Sequence, residues 1–450
     1  MVNTKSLEKT VLTLLEEKKY KELKDIFAHM NPVDIAALLE GFSEKNYLLL
    51  FRILPKDLAA ETFVEMDYDQ QEILIGSFSD SELREVVNEL YIDDMVDIVE
   101  EMPANVVKRI LASSDANTRK LINEILKYPP DSAGSIMTTE FINLHADMTV
   151  AEAIKRIREK GFDSETIDTC YVTDNVRHLI GFVTIRTIIL SDENSKIEDV
   201  MNRNVISVGT MEDQETVVNL FAKYDLTVLP VVDNEKRIVG IVTVDDAIDV
   251  LQKETTEDFE KMAAITPTDR PYLKKTTYEI WKSRIPWLLI LMISATFTGM
   301  IISHFEEALK TYVILTAYIP MLMDTGGNSG SQASVTIIRS LSLNELHFGD
   351  ILRVLWKEFR VALMSGITLA LVYFAKLIIF DKTGIAVASI ICVTLVLTVF
   401  VAKLVGCFLP MLAKKVGFDP AVMASPFITT IVDAISLLIY FNIASAILGI

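Results

Sequence analysis

Tyr318-Ile-Pro-Met-Leu-Met-Asp-Thr-Gly-Gly-Asn-Ser-Gly-Ser-Gln-Ala-Ser-Val-Thr-Ile-Ile-Arg-Ser-Leu341 is the stretch on which the reading of this chain turns. It lies in the apolar C-terminal part, where lipid is the expected solvent, yet its middle, from Asp324 to Gln332, is polar and glycine-rich. Hydrocarbon cannot satisfy amides, hydroxyls and a carboxylate, so such a run persists only where protein or a watery cavity covers it. Glycines let another backbone approach, and neutral oxygens suit a hard, hydrated cation. Packing of small residues between spans accounts for the glycines and serines. It does not account for Asp324, Asn328 and Gln332 beside them. The stretch therefore reads as a pore lining, with Gly326, Gly327 and Gln332 among the lining positions and packing as a second role.

Outward from this stretch, apolar runs at 285–303, 311–341, 361–380, 385–412 and 426–448 give five spans, each near or above the ~20 residues needed to cross. Lys282, Arg284, Arg339, Arg353, Lys357, Arg360, Lys414 and Lys415 flank alternate ends of these runs. The positive-inside rule then puts the N-terminus in the cytosol and the C-terminus outside, in a multi-pass protein of the cell (inner) membrane. Within the last span, Asp433 has apolar neighbours on both sides and no Lys or Arg in the span to neutralise it. An acid so placed is functional by default, and a cation from solution is its natural partner.

The remainder of the chain is different in kind. Of 450 residues half are hydrophobic, yet the formal net charge is -19, and the mean hydropathy is +0.34. Those values conflict for one globular domain and resolve if an acidic soluble half precedes the apolar one. The acidic soluble half argues against nucleic acid and anionic lipid as its partners, and for cations or basic partners. Cys170, Cys392 and Cys407 have no metal or redox spacing. Residues 1–130 read as helices only, with apolar residues at three and four apart and a weak echo between 31–40 and 92–101, as in a small superhelix. The second copy gathers Asp93, Asp94, Asp97, Glu100 and Glu101 without a basic residue between them. Residues 131–252 alternate strand and helix in two copies, and resemble a tandem pair of cystathionine-β-synthase (CBS) domains. Residues 253–283 form a charged connector, read as helical over 255–264. From Asp245 to Glu260, seven carboxylates fall in sixteen residues with only Lys253 among them. Repulsion of ~4 kcal/mol per close pair at intermediate dielectric makes such a cluster costly unless cations fill it.

The fold class expected is thus a multidomain membrane protein: an all-α superhelical N-domain (1–130), α/β tandem CBS domains (131–252), a connecting helix (253–283) and a five-helix transmembrane domain (284–450). In that order, and with the motifs Asp131-Ser-Ala-Gly-Ser-Ile-Met-Thr, Arg284-Ile-Pro-Trp-Leu, Pro320-Met-Leu-Met-Asp-Thr-Gly-Gly-Asn-Ser-Gly-Ser-Gln and Asp419-Pro-Ala, the chain resembles the MgtE magnesium transporter family. The resemblance implies a homodimer in the bilayer with its pore on the two-fold axis, lined by spans two and five. It implies Mg²⁺ as both substrate and regulator. Asp433 would hold a hydrated Mg²⁺ with Asn328 and the Ala421 carbonyl nearby. Cytosolic Mg²⁺ would close the pore through Asp93, Asp97, Asp225, Asp246, Asp249, Glu257, Asp258 and Asp419. Some members bind ATP at the CBS pair, which leaves ATP open as a ligand here.

Three rivals are weighed against this reading. An ion-coupled divalent-cation exporter would need intramembrane counter-ion sites, and Asp433 stands nearly alone in the sequence. A membrane-bound magnesium or nucleotide sensor that transports nothing has no use for the polar run at 324–332. An enzyme would need a nucleophile–base constellation, and His145, His178, His304 and His347 are scattered.

Overall fold

The computed structural model describes residues 4–448 apart from 269 and 424. The chain divides into two compact units, Met1–Val250 and Leu251–Ile450.

The first unit begins with short helices: α1 (Thr4–Glu16), α2 (Tyr20–Phe27), α3 (Pro32–Glu40), α4 (Glu44–Phe51), α5 (Lys56–Val64), α6 (Tyr68–Ser77), α7 (Asp80–Val87), α8 (Ile92–Glu101), α9 (Ala104–Ser113) and α10 (Ala116–Ile125). Local chemistry sets their ends. Asn31 accepts from the Val33 N–H at 3.2 Å ahead of Pro32, and Ser79 with Glu82 forms a capping box at the start of α7. Helices two apart stack in turn, α3 on α5, α5 on α7 and α7 on α9. Leu23, Phe27, Ile35, Leu38, Leu50, Phe63, Leu74 and Ile75 fill the core between them. The two echoed segments are the single helices α3 and α8.

Two three-stranded sheets follow. The first is β1 (Phe141–His145), β2 (Thr166–Thr173) and β3 (Leu179–Thr184), with α11 (Val150–Lys160) between β1 and β2 and α12 (Ile185–Leu190) after β3. After α13 (Ile197–Val200), the second repeats the order with β4 (Val208–Gly209), α14 (Gln214–Tyr224), β5 (Val228–Val232), β6 (Ile238–Thr243) and α15 (Val244–Met262). In each, the first pair is parallel and the second antiparallel. The stretch 134–139, although it precedes β1, pairs with the second sheet. Thr138 and Ile241 exchange backbone hydrogen bonds of 2.8 and 2.9 Å, and Gly134 N–H donates to Thr210 at 2.9 Å. Gly240 permits this crossing, since a Cβ there would lie 2.7 Å from the Thr138 carbonyl oxygen. No separate connecting helix starts after 252, because α15 runs unbroken across that expected boundary.

The second unit holds α16 (Thr277–His304), α17 (Glu306–Thr311), α18 (Ile319–Ser342), α19 (Ile351–Ile379), α20 (Ile385–Val416) and α21 (Ser425–Leu448). Among the described residues four helices are long and apolar enough to cross a membrane: α16, α19 and α21 with the short turns ahead of the latter two, and α20. The 24-residue α18 is ~36 Å long at 1.5 Å per residue, enough to span, but its polar run excludes it on composition. That run is no interruption, since helix continues through Asp324–Gln332. Tertiary packing overrides the poor helix propensity of its glycines: α18 packs against both α20 and α21.

Candidate functional site

On α18, spacing alone puts Asp324, Asn328 and Gln332 on one face, four residues apart. All three are exposed in the single chain, whereas Gly326, Gly327, Ser329, Gly330, Ala333 and Ser334 on the other side are buried. The pore-lining expectation therefore divides. Gln332 lies on the open face, while Gly326 and Gly327 lie on the packing face. A Cβ on Gly326 would sit 2.7 Å from Thr398 Cγ2 and 3.0 Å from Val432 Cγ1, and one on Gly327 would sit 2.8 Å from Thr429 Cγ2. These two glycines seat α18 against α20 and α21, one turn away from the polar stripe.

Thr429, Val432 and Ser436 bring Asp433 of α21 to the same level. Asp433 is half-buried, and its Oδ1 is buried with no hydrogen-bond partner among the described residues. Its charged neighbour is Asp324, another carboxylate. A buried lone pair without a donor is costly. Ala421 lies elsewhere. It is fully buried in the short turn Pro420–Met423 ahead of α21, packed with Ile338 and Met262. Asp433 is eight residues into α21, ~12 Å further along the axis.

A second constellation forms in the first unit, where α8 meets the sheets. Asp93 is buried, and its carboxyl is pushed well above the usual range, first by burial and then by Asp246 and Asp94. Burial, followed by Asp246 and Asp97, pushes Asp94 up to about 7. Glu165 is pushed up to about 8 by burial, then by Asp246 and Asp94. Asp246 rises to about 6, mainly through burial, although the Thr243 hydroxyl donates to it at 2.6 Å. Asp249 rises through burial and Asp245, and is itself a neighbour of Glu65. The principal charged neighbours of all these groups are other carboxylates, and Glu165 Oε2 is buried without a hydrogen-bond partner among the described residues. Glu140 accepts from the Ile92 N–H at 3.0 Å, tying the start of α8 to the strand region. Hard oxygens in excess of positive charge fit a hydrated divalent cation. Among the described residues, no three acids or histidines close on one point tightly enough to hold a bare ion.

The other expected regulatory acids separate from this cluster. Asp225 is exposed at the end of α14 with φ 51°, and no acid of the cluster is its partner among the described residues. Glu257, Asp258 and Asp419 meet within the second unit, but a lysine joins them. Lys261 Nζ lies 2.7 Å from Glu257 Oε1 and 2.7 Å from Asp419 Oδ2. Burial opposes its charge, and the hydrogen bonds it donates to Asp419 and Glu257 more than offset that and hold its pKa up. Asp258 accepts from the Ser342 hydroxyl at 3.2 Å, and its pKa is raised by burial first. A cation is not needed to neutralise Glu257 and Asp419.

Sequence reasoning missed Glu65, Glu140 and Glu165, which sit at element ends with no periodicity to flag them. Lys261 was adjacent to the counted run and carried a readable signal, as the i+4 partner of Glu257. In the membrane unit it also missed Lys403, buried on α20 with its Nζ 3.8 Å from Glu358 Oε2 of α19.

Comparison with known proteins follows the same divisions. The family described as "Divalent cation transporter" matches residues 319–443, the "MgtE intracellular N domain" matches 30–131, and the CBS domain matches 133–193 and 197–253. The magnesium transporter MgtE of Thermus thermophilus is 36% identical over 438 residues, covering 96% of this chain and 97% of its own. That of Bacillus subtilis is 31% identical, over 97% of this chain and 96% of its own. A solved cytosolic domain of the Mg²⁺ channel MgtE in complex with ATP is 34% identical. It covers 54% of this chain and 99% of its own, with a TM-score of 0.52. The soluble part of a magnesium transporter is 29% identical, covers 56% and 99%, and gives 0.53. Near full-length identity, an intracellular domain, a CBS pair and a transporter domain in one order make this chain a member of the MgtE family.

Proposed function

We propose that this protein carries Mg²⁺ across the membrane and is closed by Mg²⁺ at its cytosolic acids. The observation that carries the reading is the exposed stripe Asp324–Asn328–Gln332, whose Asp324 neighbours Asp433, together with the buried Asp433 Oδ1, which has no donor among the described residues. Mg²⁺ dehydrates reluctantly, so a path that reads the hydrated ion needs few acids and several neutral oxygens. A cage of carboxylates would hold it too firmly to conduct. Asp433 supplies the charge, while Asn328 and Gln332 contact the water shell. An open polar face on α18 is completed by a second copy, so the pore lies on the two-fold axis of a homodimer with α18 as the second of its five spans. The N-terminal unit is cytosolic and the C-terminus lies outside.

The sensor follows the opposite logic. Asp93, Asp94, Asp97, Glu165, Asp246 and Asp249 share too much negative charge, and Mg²⁺ with its water shell relieves it. ATP is the nucleotide ligand of the CBS pair in this reading, supported by the relative whose cytosolic domain was solved with ATP. The acids act as ligands, and no catalysis is assigned to them. The buried Lys403–Glu358 pair is neutral as a whole, so it adds no counter-ion site for an exporter.

Purified protein in liposomes containing an Mg²⁺ dye tests the proposal. Wild type should admit Mg²⁺ down its gradient, and Asp433→Ala should lose that flux while keeping the same oligomeric state. Wild-type flux through a folded Asp433→Ala protein would remove Asp433 from the path.

A further inference from the structure

α16 is longer than the bilayer core requires. Its 28 residues extend ~42 Å at 1.5 Å per residue, against a hydrocarbon thickness of ~30 Å. The apolar run begins at Ile285, and 285–304 alone fills that thickness. The first two turns, 277–284, therefore project to headgroup depth. They carry Tyr278, Trp281, Lys282 and Arg284, all exposed. Tyr278 and Trp281 stack at 5.6 Å and are 67% and 53% exposed. Their face continues without a break into Leu288, Leu289 and Met292, the exposed apolar side of the same helix. Lys282 is one turn beyond Tyr278 on that face, and Arg284 is one turn beyond Trp281.

The nearby cations differ in what they do. Lys275 is held by Glu260 at 3.2 Å, and Arg270 lies 3.8 Å from Glu279. Lys282 and Arg284 have no ion pair among the described residues. Two exposed cations without an ion pair among the described residues, flanked by aromatic rings at the depth of the headgroups, complement a negative surface.

We propose that residues 278–284 form a binding site for anionic phospholipid in the cytosolic leaflet, with Lys282 and Arg284 on the headgroup phosphate and Tyr278 and Trp281 at the glycerol level. The site rests on α16 crossing the bilayer, and is independent of which ion the pore carries.

The test uses full-length protein in which Trp287→Phe and Trp356→Phe leave Trp281 as the one tryptophan. It is reconstituted in phosphatidylcholine bilayers containing brominated phosphatidylglycerol or brominated phosphatidylcholine, and quenching of Trp281 is measured. Both lipids should quench, with phosphatidylglycerol favoured by roughly fivefold for each cation engaged and less so at high salt. Lys282→Gln/Arg284→Gln should bring the preference near unity, and Lys282→Arg/Arg284→Lys should retain it. Equal quenching of the parent by the two lipids, or a preference unchanged in the Gln pair, would overturn the proposal. Absence of quenching by either lipid would also overturn it, placing a second copy of the chain over this face and reporting on the span itself.

Discussion

At the scale of single residues, α18 performs two tasks on two faces, and the sequence mixes them. Gly326 has Thr398, Val432 and Ser436 within 3.1 Å of where a Cβ would be, so Gly326→Val must displace packed side chains at a cost of about 1–3 kcal/mol. Asn328 is exposed and costs the fold little when truncated. The two substitutions should therefore fail differently. Gly326→Val should lower the thermal midpoint and the yield of intact oligomer. Asn328→Ala should leave both unchanged and alter the Mg²⁺ to Ca²⁺ flux ratio. If Asn328→Ala conducts with unaltered selectivity, the stripe serves packing between copies. Sequence alone suggested a lining role for all the small residues because hydrocarbon tolerates neither glycine-rich backbone nor amides without cover. It could not say which face of the helix its neighbours would take, since that depends on α20 and α21.

At the scale of elements, α8 and the start of α15 form a charge-strained seam. Asp94, Glu165 and Asp246 have folded-state pKa values raised to about 7, about 8 and about 6, above unfolded values of about 4. The folded state thus binds more protons than the unfolded one between about pH 4 and pH 8. Stability from these groups is full below that window and is lost as pH rises through it. Without divalent cations, protease cleavage around α8 should accelerate from about pH 5 to about pH 8, and Mg²⁺ should suppress it at the upper end. Glu165→Gln should flatten the pH dependence. A cleavage rate insensitive to both pH and Mg²⁺ would show the seam is ordinary solvated surface. The acidic run of α8 was plain in the sequence, but Glu140 and Glu165 were not. They come from turns before β1 and β2, some fifty and seventy residues away, and only the fold brings them in. Lys261 illustrates the converse: counting carboxylates by run overstated the charge, because Lys261, one turn after Glu257 on the helix, already neutralises Glu257 and Asp419.

At the scale of the whole molecule, the order of helical domain, CBS pair, acidic connector and apolar domain was readable because each has its own period and composition. The limits between them were less so. The first part of the connector proved to be the end of α15, because a helix beginning on the hydrophobic pattern of Val244, Ala247 and Val250 meets no Gly or Pro until Pro267, and it ends at Met262, just before Ala264 turns to φ 54°. Gating belongs to this scale, since no single carboxylate closes a pore. An ion binding only the closed state at a hundredfold excess over its dissociation constant stabilises it by ~2.7 kcal/mol. A near-complete switch needs about 5.5 kcal/mol, so two or more sites must act together.

The measurement that reaches this claim most directly is Mg²⁺ current in excised inside-out patches as Mg²⁺ on the cytosolic face is raised. Wild type should conduct at low cytosolic Mg²⁺ and close as it rises, over a steep range. The variant Asp246→Asn/Asp249→Asn should conduct equally at low Mg²⁺ and stay open as it rises. Closure of that variant at the wild-type concentration would contradict the account and place the gate away from these acids.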